Sequence, residues 1–196
     1  MKASNSIIEW INSFKEKNVL PIPKSTDLYE FEVFEYIEDM HKKIISKNKS
    51  EGLSRVVSTF DFLHKKDNKT YYVSESNGEY KLPWNTTSKD YTWAENPQTI
   101  NEVGSIYTVQ GFDLNYVGVI LGPAIQYDEL KSELVIDSTL YKDREAYAGR
   151  EKIEDIPKAK EQIILNSINI LMKRGIKGLY IYASDEMLRK KLLSHQ

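Results

Sequence analysis

Two short apolar runs with a helical segment between them restrict the fold of this chain more than any other feature. Residues 116–121 (Tyr-Val-Gly-Val-Ile-Leu) and 179–183 (Leu-Tyr-Ile-Tyr-Ala) carry no charge and have the length of strands. A strand with one wet face alternates polar and apolar residues, whereas an unbroken apolar run is a strand covered on both faces. Between them, Ile164, Ile168 and Leu171 recur at helical spacing and predict a helix over residues 158–173, closed by Gly175 and Gly178. Strand, helix and strand in that succession predict an α/β fold with a mostly parallel sheet flanked by helices. At 196 residues the chain fits one domain with room for an appendage.

The remaining segments add elements to that unit. Ser6 followed by Glu9 reads as a capping box, and Ile7, Ile11 and Phe14 behind it predict an amphipathic helix over residues 6–17, ended by Pro21 and Pro23. A second helix is expected over residues 36–47, with Ile37, Met40, Ile44 and Ile45 on its apolar side. Residues 55–60 are rich in β-branched side chains and read as a strand. Asn77-Gly78, between Tyr71-Tyr72-Val73 and Glu79-Tyr80-Lys81, predicts a β-hairpin with a two-residue type I′ turn. Trp84 and Trp93 are expected to anchor an irregular stretch over residues 83–97. Residues 123–157, polar and charged, read as a long insertion or loop. Ser184 is expected to cap a last helix whose first turn carries Asp185 and Glu186.

Several chemistries are excluded outright. There is no cysteine, which removes disulfides, thiolate zinc sites and thiol nucleophiles. His41, His64 and His195 are far apart and lack ligand spacing, so no metal site is expected. None of the nine glycines is followed by lysine, so the chain has no Walker loop to cradle a triphosphate. No run approaches the roughly eighteen apolar residues that span a bilayer, and no signal peptide is visible, so the expectation is a cytoplasmic protein without a membrane partner. A net charge of -2 argues against a polybasic nucleic-acid binder but leaves a local basic groove open. Lys173, Lys177, Arg189, Lys190 and Lys191 read either as the rim of such a groove or as a solvated face. Asp61 with Glu79-Tyr80-Lys81 has the look of an Asp…Glu-x-Lys nuclease core, in which two carboxylates hold a hard cation beside a lysine. That spacing is loose in a chain with 29% charged residues, and the hairpin also explains Glu79 and Lys81 as its solvent side.

The most informative segment is residues 104–122, Gly-Ser-Ile-Tyr-Thr-Val-Gln-Gly-Phe-Asp-Leu-Asn-Tyr-Val-Gly-Val-Ile-Leu-Gly. Two strand-like runs flank a Thr-x-Gln-Gly-x-Asp turn, which puts hydrogen-bonding groups and a glycine near a strand end, where open α/β sheets bind ligands. This segment resembles motif V of superfamily-one helicases, whose pattern is His-Thr-x-Gln-Gly-x-Glu before an aliphatic strand. Residues 170–182 (Ile-Leu-Met-Lys-Arg-Gly-Ile-Lys-Gly-Leu-Tyr-Ile-Tyr) resemble motif VI of one branch, Leu-x-Thr-Arg-Gly-x-Lys-Gly-x-Tyr-Val-Tyr. That branch is the Schlafen-group-3-type DNA/RNA helicase domain family found in bacteria. Ser6-Ile7-Ile8-Glu9-Trp10-Ile11, Arg55-Val56-Val57-Ser58, Pro83-Trp84-Asn85, Trp93 and Asp185-Glu186-Met187-Leu188-Arg189 fit the same family in order. Tyr107 stands where the family has His, Asp113 where it has Glu, and Lys173 where it has Thr.

The resemblance implies a RecA-like second motor domain of an ATP-dependent DNA or RNA helicase or translocase. In such motors ATP and Mg2+ are held mainly by a Walker-bearing N-terminal RecA-like domain, which residues 1–196 do not include. Arg174 would be the arginine finger on the γ-phosphate, a planar fork of permanent charge, projecting from the carboxyl edge of the sheet; a side chain in a closed core or remote from that edge would count against the motor reading. Otherwise Arg174 is a helix C-terminal cation worth about 0.3–1 kcal/mol. Gly111, Asp113 and Gly175 would approach the nucleotide, and Tyr107, Thr108 and Gln110 would contact single-stranded DNA or RNA. On this reading the chain alone is inactive. The alternatives are an α/β module that binds nucleic acid or protein without hydrolysis and, behind it, the metal-dependent nuclease. Thirteen tyrosines and three tryptophans supply candidates for base stacking without singling one out.

Overall fold

A computed structural model of the chain describes residues 1–65, 67, 69–75, 77–86, 92–143, 145–147 and 155–194. In chain order its elements are α1 (Asn5–Ser13), β1 (Glu30–Val33), α2 (Ile37–Glu51), β2 (Arg55–Ser58), β3 (Tyr71–Ser74), β4 (Lys81–Trp84), β5 (Val103–Gly104), β6 (Leu114–Leu121), β7 (Ile125–Asp128), β8 (Glu133–Ile136), α3 (Ile156–Met172), β9 (Gly175–Ala183) and α4 (Glu186–Leu193). Seven strands form one sheet in the order β1-β9-β6-β2-β5-β4-β3. Every pairing in it is parallel except β3 on β4. This is the α/β architecture with a mostly parallel sheet that the two apolar runs predict, and it is consistent with the RecA-like fold that the resemblance implies.

The two central strands show why those runs are unbroken. Val117, Val119 and Leu121 of β6 and Leu179, Ile181 and Ala183 of β9 face a core built with α1, α3 and α4. The intervening Tyr116, Ile120, Tyr180 and Tyr182 face a second core with Ile37, Met40 and Ile44 of α2. Period-two alternation is present, but both faces are apolar because helices cover both. A Cβ on Gly118 would lie 3.2 Å from Ile44 and 3.3 Å from Met40, so glycine there lets α2 approach the middle of the sheet.

Several boundaries differ from the sequence reading. Ser4, not Ser6, caps α1, accepting from the Ile7 amide at 3.4 Å. The helix tightens to a 3-10 turn at Phe14–Glu16, and Lys17, in the left-handed region at φ 56°, ends it before either proline. Helix α2 continues past Lys47 to Glu51, where Gly52 at φ 72° stops it. The hairpin forms, but with its register set by Ser74 opposite Lys81, so six residues rather than two connect the strands. A six-residue connection is not the two-residue type I′ turn that the sequence predicts. Leu82 and Trp84 are buried on the second core and carry the strand into the stretch read as irregular.

Residues 123–157 hold a separate antiparallel pair, β7 with β8. It is tied down by the Leu134 amide donating to Lys17 O at 2.8 Å and by the Tyr127 amide donating to Asp185 Oδ1 at 3.2 Å. Gly175 and Gly178 do not close α3; both lie inside β9. Asp185 rather than Ser184 caps α4, accepting from the Leu188 amide at 2.8 Å.

Candidate functional site

Because the main strands are parallel, the sheet has an amino edge and a carboxyl edge. The Thr-x-Gln-Gly-x-Asp segment crosses from one to the other, leaving the carboxyl end of β5 at Ser105 and reaching the amino end of β6 at Leu114. Thr108 closes its first turn: its hydroxyl accepts from the Ser105 amide at 2.8 Å and donates to Ser105 O at 3.0 Å. Gln110 follows with its side chain exposed. Gly111 has φ 84° with nothing within 4 Å of where a Cβ would be, so glycine serves the backbone here and not a tight fit.

Arg174 arrives at the same amino edge from α3. Its carbonyl accepts from the Leu114 amide at 2.9 Å, which joins the two motif segments at adjacent strand starts. Its side chain is 23% exposed, and Nη1 lies 3.9 Å from Asp113 Oδ1 and donates to Phe112 O at 3.4 Å. Nε is buried without a hydrogen-bond partner among the described residues. A guanidinium carries five donors, and this one meets only a long hydrogen bond and a loose ion pair. The arrangement has spare capacity for an oxyanion such as a phosphate. Beyond Arg174 the ladder bulges, with Leu114 opposite Gly175 but Tyr116 opposite Gly178. A Cβ on Gly175 would lie 2.1 Å from Gly178 O, so glycine is dictated by backbone approach within the bulge.

The structure therefore brings Gly111, Asp113, Arg174 and Gly175 together and leaves Tyr107 and Thr108 near the opposite edge. It corrects the expectation that Arg174 projects from the carboxyl edge, since the residue immediately precedes a strand. The carboxyl-edge rule describes a domain that cradles its own ligand in the loops after its strands. Arg174 follows the helix that returns the chain to the strand starts, so any phosphate it meets is presented from outside this sheet. The basic residues also separate. Lys173 and Lys177 lie by the start of β9, bonded to Asn12 and Glu51 at 2.7 Å each. Arg189, Lys190 and Lys191 lie on α4 beyond its end, so the five do not rim one groove.

The nuclease constellation is not assembled. Asp61 is buried beyond β2, where its Oδ2 accepts from the Ala124 amide at 2.9 Å. Glu79 accepts instead from Asn77 Nδ2 in the exposed hairpin loop at 3.0 Å, and Lys81 sits 5.1 Å over the Tyr72 ring. Among the described residues no group of three or more His, Cys, Asp or Glu could hold a metal ion. His41 is bound by Tyr80 and the Ile100 carbonyl, and His195 lies outside the described residues.

At the carboxyl edge Tyr107 donates to Asp143 Oδ2 at 2.6 Å, and Ser105 donates to Asn85 Oδ1 at 2.7 Å. Asn85 is held at φ 51°. Burial pushes the Asp61 carboxyl up to about 7, against the opposing pull of the Ala124 amide, the Thr59 hydroxyl and the Lys142 charge. Burial and the Asp143 carboxylate together raise the Tyr107 phenol above its usual range. Asp143 and Asn85 carry no motif and were not singled out from the sequence. The available signal was for Asp61, one acid among Phe60, Phe62 and Leu63 directly after a strand.

The family described as Schlafen group 3, DNA/RNA helicase domain, matches residues 1–185. A protein of Saccharomyces cerevisiae, the uncharacterized protein YPL245W, is 42% identical over 167 residues, which is 84% of this chain and 37% of that protein. The chain thus spans well under half of this relative's length. No solved structure gives a significant match. No helix among the described residues is long and apolar enough to cross a membrane.

Proposed function

The chain belongs to the Schlafen group 3 DNA/RNA helicase domain family, and on that premise we propose that it works as the second motor domain of an ATP-dependent DNA or RNA helicase or translocase. Arg174 is its arginine finger, acting on ATP whose phosphates and Mg2+ are held by a Walker-bearing domain outside residues 1–196. The observation that carries the reading is the under-satisfied guanidinium beside Gly111 and Asp113 at the starts of two adjacent central strands. As charge develops on the transferred phosphoryl group, a planar fork brought to it is stabilising. Release from Phe112 O and Asp113 removes little, because both contacts are long. Gly111 leaves the turn open to a ribose or phosphate, and Asp113, paired among the described residues with Arg174 alone, is available to sugar hydroxyls. The residues fit the phosphate end of ATP.

Tyr107, Thr108 and Gln110 are proposed to contact single-stranded nucleic acid. The segment that carries them continues into Gly111 and Asp113, so a strand held at one end and a nucleotide at the other share one short rigid connection. The test is nucleic-acid-stimulated ATP hydrolysis by the full-length protein. Arg174→Ala is expected to lower kcat about 10³-fold or more, and Arg174→Lys to rescue little, since ammonium lacks the fork. Undiminished turnover in Arg174→Ala overturns the reading.

A further inference from the structure

The carboxyl edge holds groups that the motor reading leaves unused, at the point where the connections diverge. After β2 the chain runs to β3, β4 and β5 on one side; after β6 it runs through β7, β8 and α3 to β9 on the other. Neighbouring parallel strands whose connections leave in opposite directions open a crevice at their carboxyl ends, where open α/β sheets bind ligands. Three rings stand there, with Phe60 centred 5.9 Å from Tyr107 and 6.4 Å from His64, both edge-on. Tyr107 is 47% exposed, yet its hydroxyl is fixed by the buried Asp143. Asp61, next to Phe60 in the chain, is 4% exposed. Its Oδ2 is bonded to the Ala124 amide, while its Oδ1 is buried with no hydrogen-bond partner among the described residues. Leaving a buried acceptor unmet is unfavourable, and a donor on a ligand removes that penalty.

The charges decide which part of a nucleic acid fits. Among the described residues, Asp61, Asp143 and Glu145 outnumber Lys142 around Tyr107 and Asp61, a balance that suits an uncharged base better than a phosphate. An aromatic wall accepts any base by stacking, whereas a carboxylate acceptor selects an exocyclic amine, as in acid readout of cytosine. We propose that the crevice at the carboxyl ends of β2 and β6 is a nucleobase subsite, in which the base stacks on Tyr107 and an amino-bearing base is preferred through Asp61 Oδ1. The Lys142–Asp143 segment lies over the floor, held by the Lys142 amide to Phe60 O at 2.7 Å and by Tyr107; admission of a base moves it aside. This rests on the nucleic-acid reading of Tyr107 and adds to it an edge, a ligand group and a specificity residue.

The test titrates the chain at pH 8 with single-stranded oligodeoxycytidylate and oligodeoxyuridylate, which differ in bearing an amino or a keto group on the base edge. Fluorescence polarisation is expected to show the cytidine oligomer bound about fivefold tighter or better. Asp61→Asn is the sharpest variant. The Ala124 amide holds the carbonyl oxygen in the Oδ2 position, so the amide nitrogen replaces Oδ1, a donor replaces an acceptor, and the preference reverses toward uridine. Tyr107→Ala is expected to weaken both oligomers about tenfold alike. Equal binding of the two oligomers by the unmodified chain overturns the subsite while nucleic-acid binding stands. An unchanged preference in Asp61→Asn overturns the role of Asp61. Absence of binding to either oligomer overturns this inference together with the nucleic-acid reading. If thermal melting shows that Asp61→Asn does not fold, the ratio measured on the unmodified chain decides.

Discussion

At Asp61 one carboxyl oxygen is bonded and the other is buried with no hydrogen-bond partner among the described residues. The group titrates near 7 in the folded chain against an ordinary value of 3.8. Between those two pH values the folded state keeps a proton that the unfolded state has released, so stability falls as pH rises through that window. Below it both states are protonated and the group is neutral in effect; above it the penalty is complete, on the order of a few kcal/mol. Asp61→Asn is therefore expected to be more stable than the unmodified chain at pH 8, with a flatter profile between about pH 4 and 7. Thermal melts across that range check it, and superimposable profiles would assign the titration to another group. Arg174 was legible at this scale because Arg-Gly-x-Lys-Gly has a recognisable spacing. Asp143 was not, since its significance is the Tyr107 hydroxyl, which is 36 residues away in sequence.

Among the elements, β6, α3 and the 179–183 part of β9 were read correctly because each carries a strong apolar signal of its own; the start of β9 was missed because Gly175 and Gly178 read as a helix stop. Strand β1, Glu-Phe-Glu-Val, is only four residues long and lies at the sheet edge. Its alternation of Glu with Phe and Val is a local strand signal that the sequence reading passed over because it is so short, and β9 gives it a parallel partner from Gly178 to Ile181. The β7–β8 pair was hidden for a different reason: its docking runs through Lys17 and Asp185, residues distant in sequence. Asp185 Oδ1 accepts both from Leu188, as the cap of α4, and from Tyr127 on β7. Asp185→Ala is expected to remove about 1–2 kcal/mol, more than half of it from the cap. It should also speed hydrogen exchange of the β7 amides relative to those of β6. Unchanged exchange in β7 would show that apolar packing alone holds the hairpin down.

For the molecule as a whole, the separation of the two edges matters most. One edge presents a guanidinium with spare donors, the other an aromatic wall over a buried acid, and the 105–113 turn links them. Without a glycine-lysine pair the chain has no cradle for a triphosphate, so purified residues 1–196 are expected to release no phosphate from ATP. Turnover that Arg174→Ala abolishes would refute that division of labour. The sequence by itself determined that the sheet is parallel and covered on both faces, which segments are its central strands, and which arginine and glycines stand beside one another along the chain. These follow from the spacing of apolar and turn-forming residues among near neighbours. Only the tertiary structure decided that Arg174 faces the amino edge, that Tyr107 faces the carboxyl edge, and that Asp61 lies buried between β2 and β6. Strand order is fixed by the packing of α2 on one face and of α1, α3 and α4 on the other, a long-range balance of burial that no short window of residues records.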